Sequence, residues 1–166
     1  MGQARSLWSL GRAKSAHHLP WSLGIYMDAA LEIELINGDP SLLRVRANNG
    51  LFSGYSETYI NKKWLLEFAK KLEGFPRNPN AKVAFESEPG EGVNSSVYLC
   101  ALCSDNIGHS YLSIVLRNDR WDKDADAVQM KLKVEPASID VFSKAVLSLE
   151  GRRDGAAKLS GVSVNA

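Results

Sequence analysis

Between Leu31 and Leu149 the spacing of apolar residues changes twice from every second position to helical spacing. In the first block Leu31, Ile33 and Leu35 alternate with Glu32 and Glu34, and Leu43 and Val45 alternate with Arg44 and Arg46. Successive side chains of a strand point to opposite faces, so each segment reads as a half-buried strand with one wet side. Gly38, Asp39 and Pro40 mark the first turn. Asn48, Asn49 and Gly50 mark the second, with the residues a tight hairpin favours because they accept positive φ. Leu51 to Ile60 forms a third strand, weakened by Gly54.

At Asn61 the period becomes helical. Trp64, Leu65, Phe68 and Leu72 share one face, with Lys62, Lys63, Lys70 and Lys71 on the wet side. Asn61 suits the N-cap, because its side chain can accept an otherwise orphan backbone N–H. Lys63–Glu67 and Glu67–Lys71 stand at the i,i+4 spacing of helical ion pairs. Gly74 fits the left-handed position after the last turn, and Pro76 forbids continuation.

The second block repeats the sequence of events. Ala81, Val83 and Phe85 alternate with Lys82 and Glu86. Val97 to Cys103 is apolar on both faces, which predicts a central strand covered on both sides, or one under a second layer. Leu112, Ile114 and Leu116 follow on one strand, and Val128, Met130, Leu132 and Val134 on another. A last helix opens at Pro136, presents Ile139, Phe142, Val146 and Leu149, and ends at Gly151. Strands then helix, twice, predicts an α+β fold: a largely antiparallel six- or seven-stranded sheet with two helices packed on one face. The two blocks also read as a loose duplication.

Of 166 residues, 45% are hydrophobic and 23% charged, the content of one folded domain. The pattern places it at 28–150, with 1–27 a disordered or mis-assigned extension and 151–166 a disordered tail lacking period. Residues 1–27 contain no acid and include Gly2 and Ser6 at myristoylation spacing, a motif too short to assign targeting. The net charge of +1 is uneven: 1–27 carry +3 and 151–166 carry +2, which leaves 28–150 at −4. A mildly acidic body argues against a nucleic-acid reader, which needs a basic stripe, and points towards a basic protein partner. No apolar run reaches the ~20 residues of a membrane span, and two cysteines make no disulfide framework, which fits a cytoplasmic location.

Few residues carry a chemical signal. Cys100 and Cys103 form a lone CxxC, but on a strand they point to opposite faces, and only His109 is near in sequence. Glu86, Glu88 and Glu91 read as a solvated turn, and Asn94 opens a formal glycosylation sequon. His109 has no evident nucleophile or orienting acid beside it. Asp119, Trp121, Asp122, Asp124 and Asp126 begin like a calcium loop, but Ala127 and Lys133 replace the required Gly and Glu. A tryptophan among charges on a hairpin loop is instead a usual interface anchor, so these five residues form the candidate protein-binding loop. No catalytic set, metal site or cofactor motif is expected.

The order Gly54, Tyr59 and Ile60, then Leu65, Phe68 and Leu72, then Gly108 and His109 before Leu112 to Arg117, then Glu135 and Pro136 before Phe142, resembles small bacterial proteins of the WapI-type immunity group. The resemblance covers roughly residues 30–150 and supplies no binding residues. It implies a bacterial cytoplasmic protein that acts by stoichiometric binding, as a toxin inhibitor does. The alternative is a small-molecule module or unrecognised enzyme using an uncovered sheet face around Tyr98, Cys100 and Leu102. A homodimer through that face is the third expectation.

Overall fold

The computed structural model describes residues 28–87, 95–119 and 125–162, with only the backbone of Asp119 and Ala125. The elements run β1 (Ala30–Ile36), β2 (Ser41–Asn48), β3 (Ser53–Ile60), α1 (Lys62–Leu72), β4 (Lys82–Glu86), β5 (Ser96–Cys103), β6 (Ser110–Asp119), β7 (Ala125–Val134), α2 (Pro136–Leu147) and β8 (Asp154–Ser160). The α+β class and the antiparallel pairing are as expected. The single six- or seven-stranded sheet is not: there are two four-stranded sheets, ordered β3-β2-β1-β8 and β4-β5-β6-β7. Period two tells which residues face inwards but not which strands pair, and α1 carries the chain from one sheet to the other.

The second correction concerns the tail. Residues 154–160, expected in a disordered segment, form β8 and pair with β1 along its whole length, from Ala30↔Ser160 to Ile36↔Asp154. Ala157 and Leu159 face the core while Lys158 faces outwards. Only Leu159 is a large apolar residue in this strand, so its period is faint in the sequence. With β8 in place the duplication becomes regular. A four-stranded meander followed by a helix occurs twice, as β8-β1-β2-β3 with α1 and β4-β5-β6-β7 with α2, the first strand of the first unit coming from the far end of the chain.

The inner faces of both sheets and the two helices enclose one core. Leu31, Ile33, Leu43 and Val45 come from the first sheet, Leu99, Ile114, Leu116 and Leu132 from the second, and Phe68 and Phe142 from the helices. The helices pack on each other and against the edge strands β8 and β4, rather than lying together on one sheet face. At the other side β3 crosses β5 and β6. Gly54 is the point of closest approach: a Cβ there would stand 2.3 Å from the Val128 Cγ1. The glycine that weakens the strand locally is the one that lets the sheets meet.

The helix signals read from the sequence are present. The Asn61 side chain accepts from the Lys63 N–H at 3.0 Å. Gly74 has φ +67, and the Phe75 N–H donates to the Leu72 carbonyl at 3.0 Å. Asn61→Ala is expected to lower stability by about 1 kcal/mol, the usual value of such a cap, measurable as a shift in urea midpoint. The i,i+4 pairs of α1 are absent, since no ion pair joins Glu67 to Lys63 or Lys71 among the described residues.

Candidate binding surface

Each sheet turns one face to the core and one outwards, and the two outward faces differ in kind. On the first sheet Glu34, Arg44 and Glu57 stand side by side across β1, β2 and β3. Arg44 is within 3.3 Å of Glu34 and 3.2 Å of Glu57, and Tyr55 donates to Glu57 at 2.7 Å. The hydrogen bonds that Arg44 donates, to Glu34 first and Glu57 second, raise its pKa, while the Tyr55 hydroxyl above all holds the Glu57 carboxyl below its ordinary value, with burial opposing it and Arg44 adding to the depression. In the next row Lys158 pairs with Glu32 at 3.1 Å and Arg46 lies over the Tyr55 ring. Cross-strand pairs of opposite charge fix register and neutralise one another, so this face is electrostatically self-contained.

The outward face of the second sheet carries Tyr98, Cys100 and Leu102 on β5, Tyr111, Ser113 and Val115 on β6, and Lys131 and Lys133 on β7. Cys100 is buried beneath its neighbours, and Tyr98, Leu102, Tyr111 and Val115 are half-buried. Lys131 lies over the Tyr111 ring, 4.9 Å from its centroid. The Cys100 thiol, and then burial, push the Tyr98 hydroxyl above its ordinary pKa. The helices are on the inner side, where Phe68 meets Phe85 at 5.8 Å, and no described element packs on the outer one. Tyr98, Leu102, Tyr111 and Val115 thus form a half-buried aromatic and aliphatic patch with Lys131 and Lys133 at its border, whereas the exposed tyrosines Tyr55 and Tyr59 stand on the first sheet.

Beside this face runs a groove of about 790 Å³ between α1 and β4. Lys70 and Lys71 of α1, Arg77 of the following loop and Lys82 of β4 line it with one carboxylate, Glu67. Phe75, Ala81, Val83 and Ala84 add apolar surface. Lys70, Lys71 and Lys82 take part in no ion pair among the described residues.

The residues singled out from the sequence fall as follows. Asp119 ends β6 opposite Ala125, and Asp126 stands on β7 opposite Asn118. Trp121, Asp122 and Asp124 lie outside the described residues, as do Glu88, Glu91 and Asn94. Cys100 faces outwards, whereas Cys103 packs against the core and its thiol reaches the Asp105 carbonyl at 3.2 Å, so the CxxC does not converge. Among the described residues no group of three or more His, Cys, Asp or Glu is placed to hold a metal ion, and no helix is long and apolar enough to cross a membrane.

The acid that orients His109 is Asp105, which sequence reasoning passed over. Its carboxylate meets the His109 ring Nδ1 and accepts from the N–H groups of Ile107 and His109, both at 3.0 Å. Burial raises the Asp105 pKa, but the His109 ring and the two N–H groups outweigh it and hold the carboxyl below its ordinary value. A depressed carboxyl contributes stability that is present above its unfolded pKa and is lost as pH falls through the folded one. The urea midpoint of the wild type should therefore exceed that of Asp105→Asn near neutral pH, with the gap closing in acid below the ordinary carboxylate range. The pair is exposed and shares its loop with Gly108 at φ +91, so its role is to hold a turn.

No family model matches this chain, and no curated protein or solved structure matches it at a significant level.

Proposed function

We propose that the protein is a stoichiometric protein-binding module, of the kind a toxin-immunity protein represents, acting in a bacterial cytoplasm. The observation that carries this reading is the contrast between the two outward sheet faces. One spends its charges on itself, through Glu34, Arg44, Glu57, Glu32 and Lys158. The other leaves Tyr98, Leu102, Tyr111 and Val115 without a covering element among those described. Asp119 and Asp126 stand at the paired ends of β6 and β7 in this same sheet, and Trp121 lies between them in the sequence. Leu51 and Phe52, 72% and 63% exposed, stand in the β2–β3 loop that Asn49 ties to the Lys131 carbonyl, at the β7 border.

A small-molecule module on the same face is the second reading, favoured only by Tyr98 and Cys100 standing two residues apart on the outward side of β5, where the thiol raises the Tyr98 pKa. Capture from lysate of the source cells separates the two. The tagged full chain should retain one protein at equal stoichiometry through a moderate salt wash, and Leu102→Glu/Val115→Glu, with its fold checked by circular dichroism, should lose it. Equal retention by the variant, or no stoichiometric protein from cells that express the chain, would overturn the reading. Trp121→Ala should weaken binding of the retained protein by about 2 kcal/mol if the loop anchors it.

A further inference from the structure

From the groove beside β4 we infer that the partner engages by strand addition, laying an extended acidic segment along the open edge of the second sheet. The inference rests on the protein-binding reading above and specifies its chemistry. The Cys103 N–H donates to the Ala81 carbonyl and the Ser87 N–H to the Val97 carbonyl, at 3.1 and 2.9 Å. Together with the register Val83↔Ala101 and Phe85↔Leu99, these bonds turn the backbone of every odd residue from Ala81 to Ser87 towards β5. The N–H and C=O groups of Lys82, Ala84 and Glu86 therefore point away from the sheet. β4 ends the strand order, and among the described residues no backbone bond reaches these three. Such an edge is a template for another strand.

The charge around the edge selects the occupant. A strand laid beside β4 places alternate side chains on the inner side, over the groove formed by α1 and the loop that follows it. There they meet Lys70, Lys71 and Arg77 against the single Glu67, a net of +2 in a body that carries −4 over 28–150, while Lys82, opposite Leu102, borders the outward side of the same edge. Phe75 and Val83 give apolar contact along the same wall. Glutamate or aspartate at every second position of the incoming strand satisfies Lys70 and Lys71, which have no ion pair among the described residues. A second copy of this chain fits less well. Its edge would match Lys82 to the other Glu86, but it would bring two grooves of like charge together. The −4 of residues 28–150 points to a basic partner; the local chemistry of the open edge reverses that sign.

The test uses the full chain and a soluble eight-residue peptide of alternating glutamate and threonine, with a lysine–threonine peptide as control. Binding is read by fluorescence anisotropy at low salt, and amide exchange is read by NMR. The acidic peptide should bind below about 1 mM and at least about tenfold more tightly than the basic one. Lys70→Glu/Lys71→Glu, both exposed positions, should reverse the preference. At saturation the amides of Lys82, Ala84 and Glu86 should exchange at least about tenfold more slowly, with those of β3 unchanged. Binding without that protection would show charge contact alone and overturn strand addition. So would a dimeric mass by light scattering with these amides protected in the absence of peptide, because a second copy would then own the edge. If the peptide fails to bind while the full chain still captures its partner, only the strand-addition inference falls. If both fail, the protein-binding reading falls with it.

Discussion

A chain ending at Gly151 should lose cooperative folding altogether. The truncation removes β8 and with it the whole antiparallel ladder to β1, from Ala30↔Ser160 to Ile36↔Asp154. It also removes the bonds from the Gly161 N–H to the Ala29 carbonyl and from the Val162 N–H to the Lys133 carbonyl, at 2.7 and 2.8 Å, the second of which ties the end of the chain to the other sheet. Burial of a leucine such as Leu159 is worth about 2–3 kcal/mol and each backbone hydrogen bond about 1 kcal/mol net. The combined loss exceeds about 5 kcal/mol, the lower end of the stability of a domain. β1 would in addition become an exposed edge with Leu31, Ile33 and Leu35 behind it, which favours association between chains. Thermal unfolding followed by circular dichroism should show no sharp transition. A truncated chain that melts cooperatively at the wild-type temperature would contradict the place given to β8.

The second large effect is expected at Phe142. Its side chain is fully buried on α2 and belongs to the one core that residues of both helices and both sheets build. The next residue, Ser143, donates to the Ala69 carbonyl of α1 at 2.8 Å, so the helix cannot slide to refill a vacated site without breaking a buried bond. Phe142→Ala should therefore cost about 3–5 kcal/mol, transfer and cavity together. For a chain of this size that lowers the melting temperature by roughly 6–20 °C. Val141 is the neighbouring control, 65% exposed on the same helix, and Val141→Ala should change stability by no more than about 0.5 kcal/mol. Similar losses at both positions would mean that α2 does not present the face described.

These two sites also show how far the sequence could be read. Phe142 was legible because Ile139, Phe142, Val146 and Leu149 recur at helical spacing, and all four are buried. Asn61, Gly74 and Pro136 were legible because caps are local, decided by one side chain and its own backbone. β8 was not, because Gly155, Ala156 and Ala157 carry almost no hydrophobic period and the strand is specified by its partner β1. Nor could period two separate one sheet from two, since pairing across 117 residues, as between Asn37 and Asp154, leaves no local trace.

The candidate surface divides in the same way. Tyr98, Cys100 and Leu102 were visible as the second apolar face of a strand, and their outward orientation is that expectation met in the structure. Lys70 and Lys71 read only as the wet side of a helix. Their meaning comes from standing across a groove from Lys82 and the open edge of β4, a juxtaposition made by the crossing from one sheet to the other.

The most direct test of the account is hydroxyl-radical footprinting of the captured complex against the free chain, because tyrosines mark both outward faces. Tyr98 and Tyr111 report on the second sheet, and Tyr55 and Tyr59 report on the first. Oxidation of Tyr98 and Tyr111 should fall in the complex while Tyr55 and Tyr59 react as before. Protection of Tyr55 and Tyr59 with Tyr98 and Tyr111 unchanged would place the partner on the self-neutralised face and contradict the assignment.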